Sequence, residues 1–504
     1  MMQNNKIDYI RQNVFNGGGK EKIEKQHNQG KLTARERLEL LFDKDTFLEY
    51  NILKSDINVS ADAINGDGVI TGIGCVNGRR VCAYIQDFTV SGGTVGGSNA
   101  KKISSIQRKA LELRIPIVAL LDSGGAKIQD GVQALSGYGE IFKNNVMSSG
   151  IIPQIAVVMG PCAGGASYSP ALCDFIFMVE DTSHMFITGP DVIKAVTGEN
   201  VDKETLGGAK MHMEKSGVAH FKFKDDRECI AGVKRLLQYL PDNCQQKVAV
   251  RKYRYNSQLD IAALVPQNKR SVYNIKKLIE AIFDENSLME VQEEYAPNIL
   301  TCLGTMKGIT VGIVGNQPTH LAGSLDINGC DKASRFINLC SLFNIPIITF
   351  VDVPGYLPGK DQEKNGIIRH GAKMLYAYSN STVPKMTLIL RKAYGGAYLG
   401  MCSKEIGADY VVSWEDAEIA VMGAEGAVRI LNRNNGMDAE RYNQYVKEKA
   451  QEYTDEYLSP YYSAKLGYVD NVIKPTETRN TIYSFLCINM DREIVESKNG
   501  NFPV

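Results

Sequence analysis

The sequence has no excess of charge of either sign, and it is poor in histidine and tryptophan. Lys and Arg together number 57, as do Asp and Glu, and there are 6 histidines and 1 tryptophan. Without net charge, no overall field favours nucleic acid or an anionic membrane surface. The histidines do not fall at the spacing of a metal site. We therefore expect neither a nucleic-acid partner nor a bound metal.

Long apolar runs are missing as well. The longest, such as IPIVALL at 115–121, have the length of a buried strand and fall far short of the roughly 20 residues of a membrane helix. The 11 cysteines are scattered without a C-x-x-C pair, and the first residues contain no apolar signal region. Because such cysteines are typical of a reducing compartment, we expect a cytoplasmic protein.

The familiar motifs of hydrolases and nucleotide-binding enzymes are absent. The sequence contains no G-x-S-x-G, no Walker lysine loop and no H-E-x-x-H, which excludes the commonest serine and zinc hydrolases. The segment SGGTVGGSN at 91–99 is rich in glycine, but its glycines are out of phase with the G-x-G-x-x-G of a dinucleotide-binding turn.

What the sequence does contain is an internal duplication. At 504 residues the chain is too long for one compact core, so two domains are expected. TGIGCVNGRRV from Thr71 aligns with TCLGTMKGITV from Thr301, 230 positions later, and the same shift pairs LRIPIVALLD at 113–122 with FNIPIITFVD at 343–352. Repeated matches at one shift indicate duplication. We place the domain boundary near residue 250, giving domains 1–250 and 251–504.

Each half has the pattern of an α/β unit. In the first half we expect paired strands from Val69 to Gln86, a helix over 101–113, and buried strands at 115–122 and 152–160. The second half repeats this order. Before the first strands, Thr33 and Glu36 form the S/T-x-x-E pattern of a capping box, which predicts the start of a helix.

Glycine pairs follow the buried strands in both halves. Gly124 and Gly125 follow one strand and Gly164 and Gly165 another, and the second half has counterparts at Pro354-Gly355-Tyr356 and Gly395-Gly396-Ala397. A helix that starts at a glycine turn offers unpaired N–H groups to a ligand oxygen. Two such turns side by side predict an oxyanion hole, and two holes would suit a reaction with two enolate-like anions. The alternative is that the glycines only form turns and close packing contacts.

Other side chains that could act in catalysis or ligand binding are expected to have structural roles. We expect His184, His212, His220 and His370 to make structural hydrogen bonds, because none has a carboxylate partner nearby in sequence. Cys162 is expected to be a packing residue. The lysines of AKKISSIQRK at 100–109 are expected on a solvated helix face, with a phosphate contact as the alternative.

Over nearly its whole length the chain resembles the carboxyltransferase subunits of biotin-dependent acyl-CoA carboxylases and decarboxylases. The motifs that carry the resemblance include DSGGAKIQDG at 122–131, GPCAGGASYSPAL at 160–172, FVDVPGYLPGKDQEKNGIIRHGAKMLYAY at 350–378 and RKAYGGAY at 391–398. Matches of this length are highly specific.

The resemblance implies two tandem crotonase-like domains of the ββα superhelix type, with an acyl-CoA held by the first and biotin, on a separate carrier protein, held by the second. It implies a hexamer built as a trimer of dimers, with the first domain of one subunit facing the second domain of another. It assigns the thioester hole to Gly125, Ala126, Gly164 and Gly165, and the hole for the biotin ureido oxygen to Gly396 and Ala397. Substrate contacts are expected from Gly124, Ala166, Gly355, Tyr356, Gly395 and Leu399.

The implied activity is carboxyl transfer between carboxybiotin and a short-chain acyl-CoA, propionyl-CoA and methylmalonyl-CoA first, acetyl-CoA and malonyl-CoA second. The partners would be a biotin carboxyl carrier protein and a biotin carboxylase subunit. The first alternative is the carboxyltransferase subunit of a sodium-pumping methylmalonyl-CoA decarboxylase, with a membrane decarboxylase subunit as partner. The others are a biotin-independent crotonase-like enzyme using Asp130, and an inactive assembly subunit.

Four positions depart from the family pattern. Lys127 replaces an arginine, Lys364 replaces a tryptophan, and the segment with Ser413 and Trp414 replaces a common A-W-P pattern. Leu399 stands where propionyl-selective members tend to carry aspartate. We expect these residues near the acyl and biotin sites, where they would affect substrate preference.

Overall fold

The computed structural model describes residues 4–56, 59–60, 63–255, 259–269, 271–433, 437–495 and 500–501. The chain divides into two compact units, the first running to Gln246 and the second spanning Lys247–Val495. Asn501 belongs to the first unit, where its Nδ2 donates to Asp174 Oδ1 at 3.0 Å. Asn501, a residue of the expected range 251–504, therefore lies in the first unit. Among the described residues, no helix is both long and apolar enough to cross a membrane.

The first unit is built on a mixed eight-stranded sheet. Its strands are β1 (Leu48–Tyr50), β2 (Val69–Val76), β3 (Arg79–Gln86), β4 (Ile117–Ser123), β5 (Gln154–Ala163), β6 (Phe175–Val179), β7 (His184–Phe186) and β8 (Phe221–Phe223). The order is β1-β2-β3-β4-β5-β6-β8, with β7 paired to β5. The pairs β1·β2 and β2·β3 are antiparallel, and the pairs from β3 onward are parallel.

Helices of the first unit connect these strands. They are α1 (Asn4–Phe15), α2 (Lys20–Asn28), α3 (Ala34–Leu41), α4 (Gly97–Leu113), α5 (Val132–Ser148), α6 (Tyr168–Ala171), α7 (Pro190–Thr197), α8 (Lys203–Gly207), α9 (Ala209–Met211) and α10 (Asp226–Leu237). The capping box expected at Thr33 is confirmed and starts α3. The helix α4 begins four residues before the expected start, because Asn99 Oδ1 accepts the Gly96 N–H at 2.7 Å and supports an earlier first turn.

The second unit repeats the sheet. Its strands are β9 (Met289–Glu290), β10 (Ile299–Met306), β11 (Ile309–Asn316), β12 (Ile347–Val353), β13 (Lys385–Tyr394), β14 (Tyr410–Trp414), β15 (Glu418–Ala420) and β16 (Asn471–Ile473). An antiparallel pair, β10·β11, is again followed by parallel strands, and β15 pairs with β13 as β7 pairs with β5. The duplication inferred from the 230-residue shift is therefore present in the topology.

Helices again cover this second sheet. They are α11 (Ile275–Ile282), α12 (Ile327–Leu342), α13 (Lys360–Lys364), α14 (Ile367–Asn380), α15 (Gly395–Gly400), α16 (Ala424–Leu431), α17 (Ala439–Tyr453), α18 (Pro460–Lys465) and α19 (Thr478–Asn489). All residues of β4 and of β12 are buried, as expected of central parallel strands covered on both faces.

Each unit has its own hydrophobic core. In the first, Ile103 and Ile106 of α4 share a buried cluster with Tyr84 of β3 and Ala119 of β4. In the second, the largest cluster joins α11 and α19 to the sheet. Burying a side chain such as Ile103 stabilises the fold by about 1.5–3 kcal/mol, and this burial holds the sheet on which the glycine turns are mounted.

The expectation of a solvated face for the lysines of α4 is wrong for Lys102. Lys102 is fully buried and donates to the carbonyl oxygens of Gly66 at 2.8 Å and Val69 at 2.6 Å. Its counterpart in the duplication, Lys332, is also buried and donates to Tyr295 O at 2.8 Å. Burial lowers the pKa of each lysine to about 8, because desolvation disfavours the charged form.

Replacing Lys102 should change how stability depends on pH. The pKa of Lys102 is about 8 in the folded protein against an ordinary value of 10.5, so the unfolded chain binds the extra proton between these values and stability rises with pH there. Between pH 8 and 9.5 this rise is at most about 2 kcal/mol. We expect Lys102→Met to flatten it in denaturant unfolding at pH 7.5, 8.5 and 9.5.

The matched control for this prediction is Lys101→Met, since Lys101 is the exposed neighbour on the same helix. Its stability should follow the wild-type pH dependence. If Lys102→Met and wild type rise in parallel over this range, the lowered pKa is not a property of Lys102.

Candidate functional site: paired glycine turns

In the first unit, two glycine turns lie side by side at the ends of neighbouring strands. The strands β4 and β5 are parallel, and Ser123 at the end of β4 is aligned with Cys162 near the end of β5. A Cβ atom built on Gly125 would lie 2.9 Å from Ala163 O, so the turn after β4 touches the turn after β5. The structure thus brings together the segments 124–126 and 164–166.

The second unit makes the same arrangement. Val353 at the end of β12 is aligned with Ala393 of β13. The turn after β12 places Tyr356 against the turn after β13, where a Cβ built on Gly396 would lie 3.6 Å from the Tyr356 ring. The segments 354–356 and 395–397 therefore form the second pair of adjacent turns.

Equivalent glycines in the two units share a left-handed backbone. Gly164 has a φ of 62° and Gly395 a φ of 61°, and each opens a short helical segment, Gly164–Ser167 and α15. The first N–H groups of a helical segment have no acceptor within it and carry the positive end of the helix dipole. Gly165, Gly396 and Ala397 follow directly, so their amides lie in this donor position.

The first turn of each pair is not followed directly by a helix, contrary to the expectation. No helix starts directly after Gly125, because α5 begins only at Val132. Instead the turn is held by a short ladder in which Val95 donates to Gly125 O at 2.8 Å and Lys127 donates to Val95 O at 2.9 Å. The N–H of Ala126 lies on the opposite edge of this extended segment. Leu325 forms the matching ladder with Gly355 and Leu357 around Tyr356.

The Gly125 amide is engaged within the turn. It donates to Ser123 Oγ at 3.1 Å, so it reaches a ligand only by giving up this bond. Of the two amides assigned to this turn, Ala126 is therefore the better placed donor. Gly124 N–H is also used, donating to Gly92 O at 2.9 Å.

A tyrosine ring lies over the second glycine of each pair. The Tyr138 ring is 3.3 Å from a Cβ built on Gly165. Tyr356 is packed more tightly. A Cβ built on Gly371 would lie 3.0 Å from its ring, and a Cβ built on Gly400 would lie 2.7 Å from its hydroxyl. Burial raises the pKa of both tyrosines, so they stay neutral and offer flat, largely apolar walls.

The second pair of turns has a polar support behind it. Tyr394, directly before Gly395, donates from its hydroxyl to Glu418, and Lys269 Nζ donates to Glu418 Oε1 at 2.7 Å. Burial and Glu418 raise the pKa of Tyr394. Since Glu418 begins β15, these bonds hold β15 beside β13. Ala166 and Ala397 are buried beneath the turns, and Leu399 is 37% exposed at the surface of α15.

The departures from the family pattern fall in different places. Lys127 Nζ lies 3.4 Å from Asp130 Oδ1, and Asp130 accepts the Gly97 N–H at 2.9 Å. Lys364 is exposed at the end of α13. Trp414 is buried in β14 and donates to Thr478 Oγ1 at 3.0 Å.

The histidines and Cys162 have structural surroundings. His212 contacts Met185 O at 2.6 Å and His220 Nδ1 accepts from Ile176 N–H at 3.1 Å. His184 and His370 do have carboxylate partners, Glu204 and Asp331, which lie too far along the chain to be seen in the sequence.

Cys162 is buried and its Sγ lies 3.2 Å from Ala166 O; burial raises the pKa of its thiol to about 12, which suits the expected packing role. Among the described residues, no cluster of His, Cys, Asp and Glu could hold a metal ion.

Two buried carboxylates beside the turns escaped the sequence reasoning. Asp122 of β4 and Asp352 of β12 occupy matching positions, 230 residues apart, and each is paired with a buried cation. The repeat of IPIVALLD as IPIITFVD already contained the signal, since the aspartate closes both segments.

Comparison with known proteins gives one consistent result. The model of the family described as carboxyl transferase domain matches residues 25–502. The methylmalonyl-CoA decarboxylase subunit alpha of Propionigenium modestum is 50% identical over 499 residues, covering 97% of this chain and 96% of its own length. The propionyl-CoA carboxylase carboxyltransferase subunit of Haloferax mediterranei is 48% identical over 516 residues, covering 100% of both chains.

A solved structure agrees with these relatives. The transcarboxylase 12S crystal structure, a hexamer assembly with methylmalonyl-coenzyme A and methylmalonic acid bound, superposes with a TM-score of 0.93 at 46% sequence identity. The match covers 98% of this chain and 96% of that one.

The left-handed glycines at the two helix starts allow a comparative prediction. Alanine in this conformation costs about 1–2 kcal/mol, which we expect for Gly164→Ala, where the nearest atom to a new Cβ is 3.9 Å away. Gly395→Ala should cost more, because its Cβ would lie 3.2 Å from Val421 O. Denaturant unfolding of both variants measures the difference.

The control for this pair is Gly139→Ala in α5, where a Cβ would meet nothing within 4 Å. It should be stabilising by up to about 1 kcal/mol. An equal or smaller loss for Gly395→Ala than for Gly164→Ala would contradict the close contact with Val421.

Proposed function

Because the chain belongs to the carboxyl transferase domain family, we propose that it moves a carboxyl group between carboxybiotin on a carrier protein and a short-chain acyl-CoA, with methylmalonyl-CoA and propionyl-CoA as the preferred pair. Membership confirms the expected tandem crotonase-like α/β domains and an enzymatic, carboxyltransferase role. The observation that carries the proposal is the pair of adjacent glycine turns at matching positions of the two units.

The first unit is proposed to hold the acyl-CoA. The amides of Ala126 and Gly165 would donate to the thioester oxygen, with Gly125 and Gly164 shaping the turns that present them. Removing the proton at the α-carbon of the acyl group leaves an enolate, whose charge gathers on this oxygen. Fixed N–H donors stabilise such developing charge without reorganising during the reaction. Gly124 and Ala166 would line the acyl side of the same turns.

The second unit is proposed to hold biotin, which supplies the transferable carboxyl group. The residues present fit its flat ureido ring: Gly396 is exposed, the neighbouring helix start supplies the amides of Gly396 and Ala397, and the Tyr356 ring forms a wall. Gly355 and Gly395 set the shape of the turns, and Leu399 lies on the exposed side of α15. In this arrangement the chain contributes donors and positioning. The proton lost from the α-carbon would pass to the ureido group of biotin once its carboxyl group has left, so no side chain is required as a base.

Decarboxylation is the second candidate role, and two observations favour it. Leu399 stands where propionyl-selective members tend to carry aspartate, and the Propionigenium modestum relative is named as a methylmalonyl-CoA decarboxylase subunit. In that role the partner would be a membrane decarboxylase subunit, whereas a carboxylase would need a biotin carboxylase subunit. Co-purification from the native cell separates the two roles.

The same relatives and the thiols support a proposal for the assembly and the location. We propose a hexamer, as in the transcarboxylase 12S structure. None of the eleven cysteines, all of which lie among the described residues, forms a disulfide bond, which suits a reducing compartment such as the cytoplasm. The alternative of a biotin-independent enzyme using Asp130 has little support, because that carboxylate is engaged with Gly97 N–H and Lys127.

The primary test is decarboxylation of methylmalonyl-CoA by the purified protein, with malonyl-CoA compared and free biotin present or omitted. We expect turnover that biotin stimulates. Gly396→Ala should reduce the biotin-dependent rate by about a hundredfold or more, because its methyl group would intrude on the ureido hole. The fold should tolerate it, since the nearest atom to the new Cβ is 3.6 Å away.

Gly139→Ala, a glycine-to-alanine change on α5, is the matched control and should keep wild-type rates. Binding of CoA esters without turnover in the wild type would favour an inactive assembly subunit. Wild-type turnover in Gly396→Ala would remove this glycine from the biotin hole.

Leu399 provides a test of acyl selectivity. We expect Leu399→Asp to change the ratio of kcat/KM between malonyl-CoA and methylmalonyl-CoA by about tenfold or more, the range for a change of one methylene-sized contact. Leu399→Asn, of the same shape without charge, separates the effect of size from that of charge. Unchanged ratios in both variants would exclude Leu399 as a specificity residue.

A further inference from the structure

Both pairs of glycine turns are preceded by an interruption of the strand pairing. In the first unit Leu121 is aligned with Val158, but two residues later Ser123 is aligned with Cys162. One residue of β4, Asp122, therefore stands opposite the three residues 159–161 of β5. We refer to this interruption as the first bulge. The first bulge sets the register shift of β5 relative to β4 at the point where the two turns begin.

The second unit contains the equivalent interruption. Val351 is aligned with Ile389, and two residues later Val353 is aligned with Ala393. Asp352 of β12 therefore stands opposite the residues 390–392 of β13, and we refer to this as the second bulge. In both units the residue that faces the bulge is a buried aspartate.

The first bulge is closed by a guanidinium group from a distant helix. Arg37 of α3 donates to Asp122 Oδ2 at 2.9 Å, to Met159 O of β5 at 3.0 Å, and to Asp226 Oδ2 at 2.8 Å. Arg37 therefore bonds to both strands at the bulge. Lys31 Nζ adds bonds of 2.9 Å to both oxygens of Asp122, which balances two buried cations against two buried carboxylates.

In the second bulge, the cation that pairs with the aspartate is a residue of the bulge itself. Arg391 lies within the bulge, and its Nε donates to Asp352 Oδ2 at 2.9 Å while Nη1 donates to Ser271 O at 2.8 Å. The matching residue of the first unit is Gly160, where a Cβ would lie only 1.9 Å from Asp122 Oδ1. The first bulge has no room for a side chain at that position, so its cation has to come from α3.

The two units thus keep the carboxylate but use different cations. Buried ion pairs contribute little net stability compared with well-packed apolar residues, so stability alone does not explain a charged pair in each bulge. What the pairs share is their position: Gly160 and Arg391 each stand four residues before the left-handed glycine that opens the donor turn.

We propose that Arg37 and Arg391 are positioning residues that set the spacing of the hole amides, Arg37 for the thioester hole and Arg391 for the ureido hole. Each guanidinium fixes the advance of one strand over its neighbour, and that advance determines where the amides of the second turn lie relative to the first. This assignment to two substrates rests on the proposed function.

The test uses the carbonyl groups themselves as reporters. Isotope-edited infrared spectra are recorded for the full-length protein with propionyl-CoA labelled with ¹³C at its thioester carbonyl, and with free biotin labelled with ¹³C at its ureido carbonyl. In the wild type, donation from the hole amides should move both bands to lower wavenumber on binding. Arg37→Lys should return the thioester band toward its free position and leave the ureido band shifted. Arg391→Lys should do the reverse.

Kinetics provide the second readout. Each variant should lower kcat for biotin-dependent decarboxylation by about a hundredfold, the effect of a displacement near 1 Å in a catalytic group, with little change in KM for methylmalonyl-CoA. The matched control is Arg479→Lys, because Arg479 forms another buried pair with Asp284 in the second unit. It should lose stability and leave both bands and kcat unchanged.

Each outcome has one meaning. Folded variants with both bands at wild-type positions would overturn the proposal, and so would a loss of both bands in either variant, which indicates general disruption. If a lysine variant does not fold, Asp122→Asn or Asp352→Asn replaces it, since the shape is kept and the charge removed. Failure of the proposed function looks different: neither band moves in the wild type and biotin does not stimulate turnover.

Discussion

The alignment of two neighbouring parallel strands is the constraint on which the site depends. β4 with β5, and β12 with β13, run in register until an aspartate meets three residues of its neighbour, and beyond that point the second strand is advanced. Both turns of a pair directly follow these strand ends, so the alignment of the strands sets the distance between the turns. A rigid, fully buried sheet can hold backbone amides with a precision that a surface loop cannot.

Duplication makes the division between constant and variable features visible within one chain. The left-handed glycine, the ladder beside the first turn, the buried lysine and the aspartate recur in both units. The cation at the bulge, the element that supplies the tyrosine wall over the second glycine, and the length of the helix that follows do not. The recurring features fix backbone position and the variable ones shape the surroundings, which suits two holes that bind different carbonyl groups.

The sequence was sufficient for the features that rest on local pattern. The segments that repeat at the 230-residue shift, the buried strands and the capping box at Thr33 are each recognised from a short stretch of sequence, and the structure confirms them. The burial of Lys102 could not be predicted, because its carbonyl partners come from a turn more than 30 residues away. Arg37 was missed for the same reason, since 85 residues separate it from Asp122. Helix starts directly after each glycine were expected, and only the second turns have them.

The bond between Asn501 and Asp174 has a consequence for biosynthesis. Asn501 is buried in the first unit, where its N–H donates to Ser149 Oγ at 2.8 Å in addition to the bond with Asp174. A ribosome makes Asn501 327 residues after Asp174, and Lys247–Val495 of the second unit are made between the two. The first unit can therefore collapse early during translation, but its contacts with Asn501 form only after the second unit has also been made.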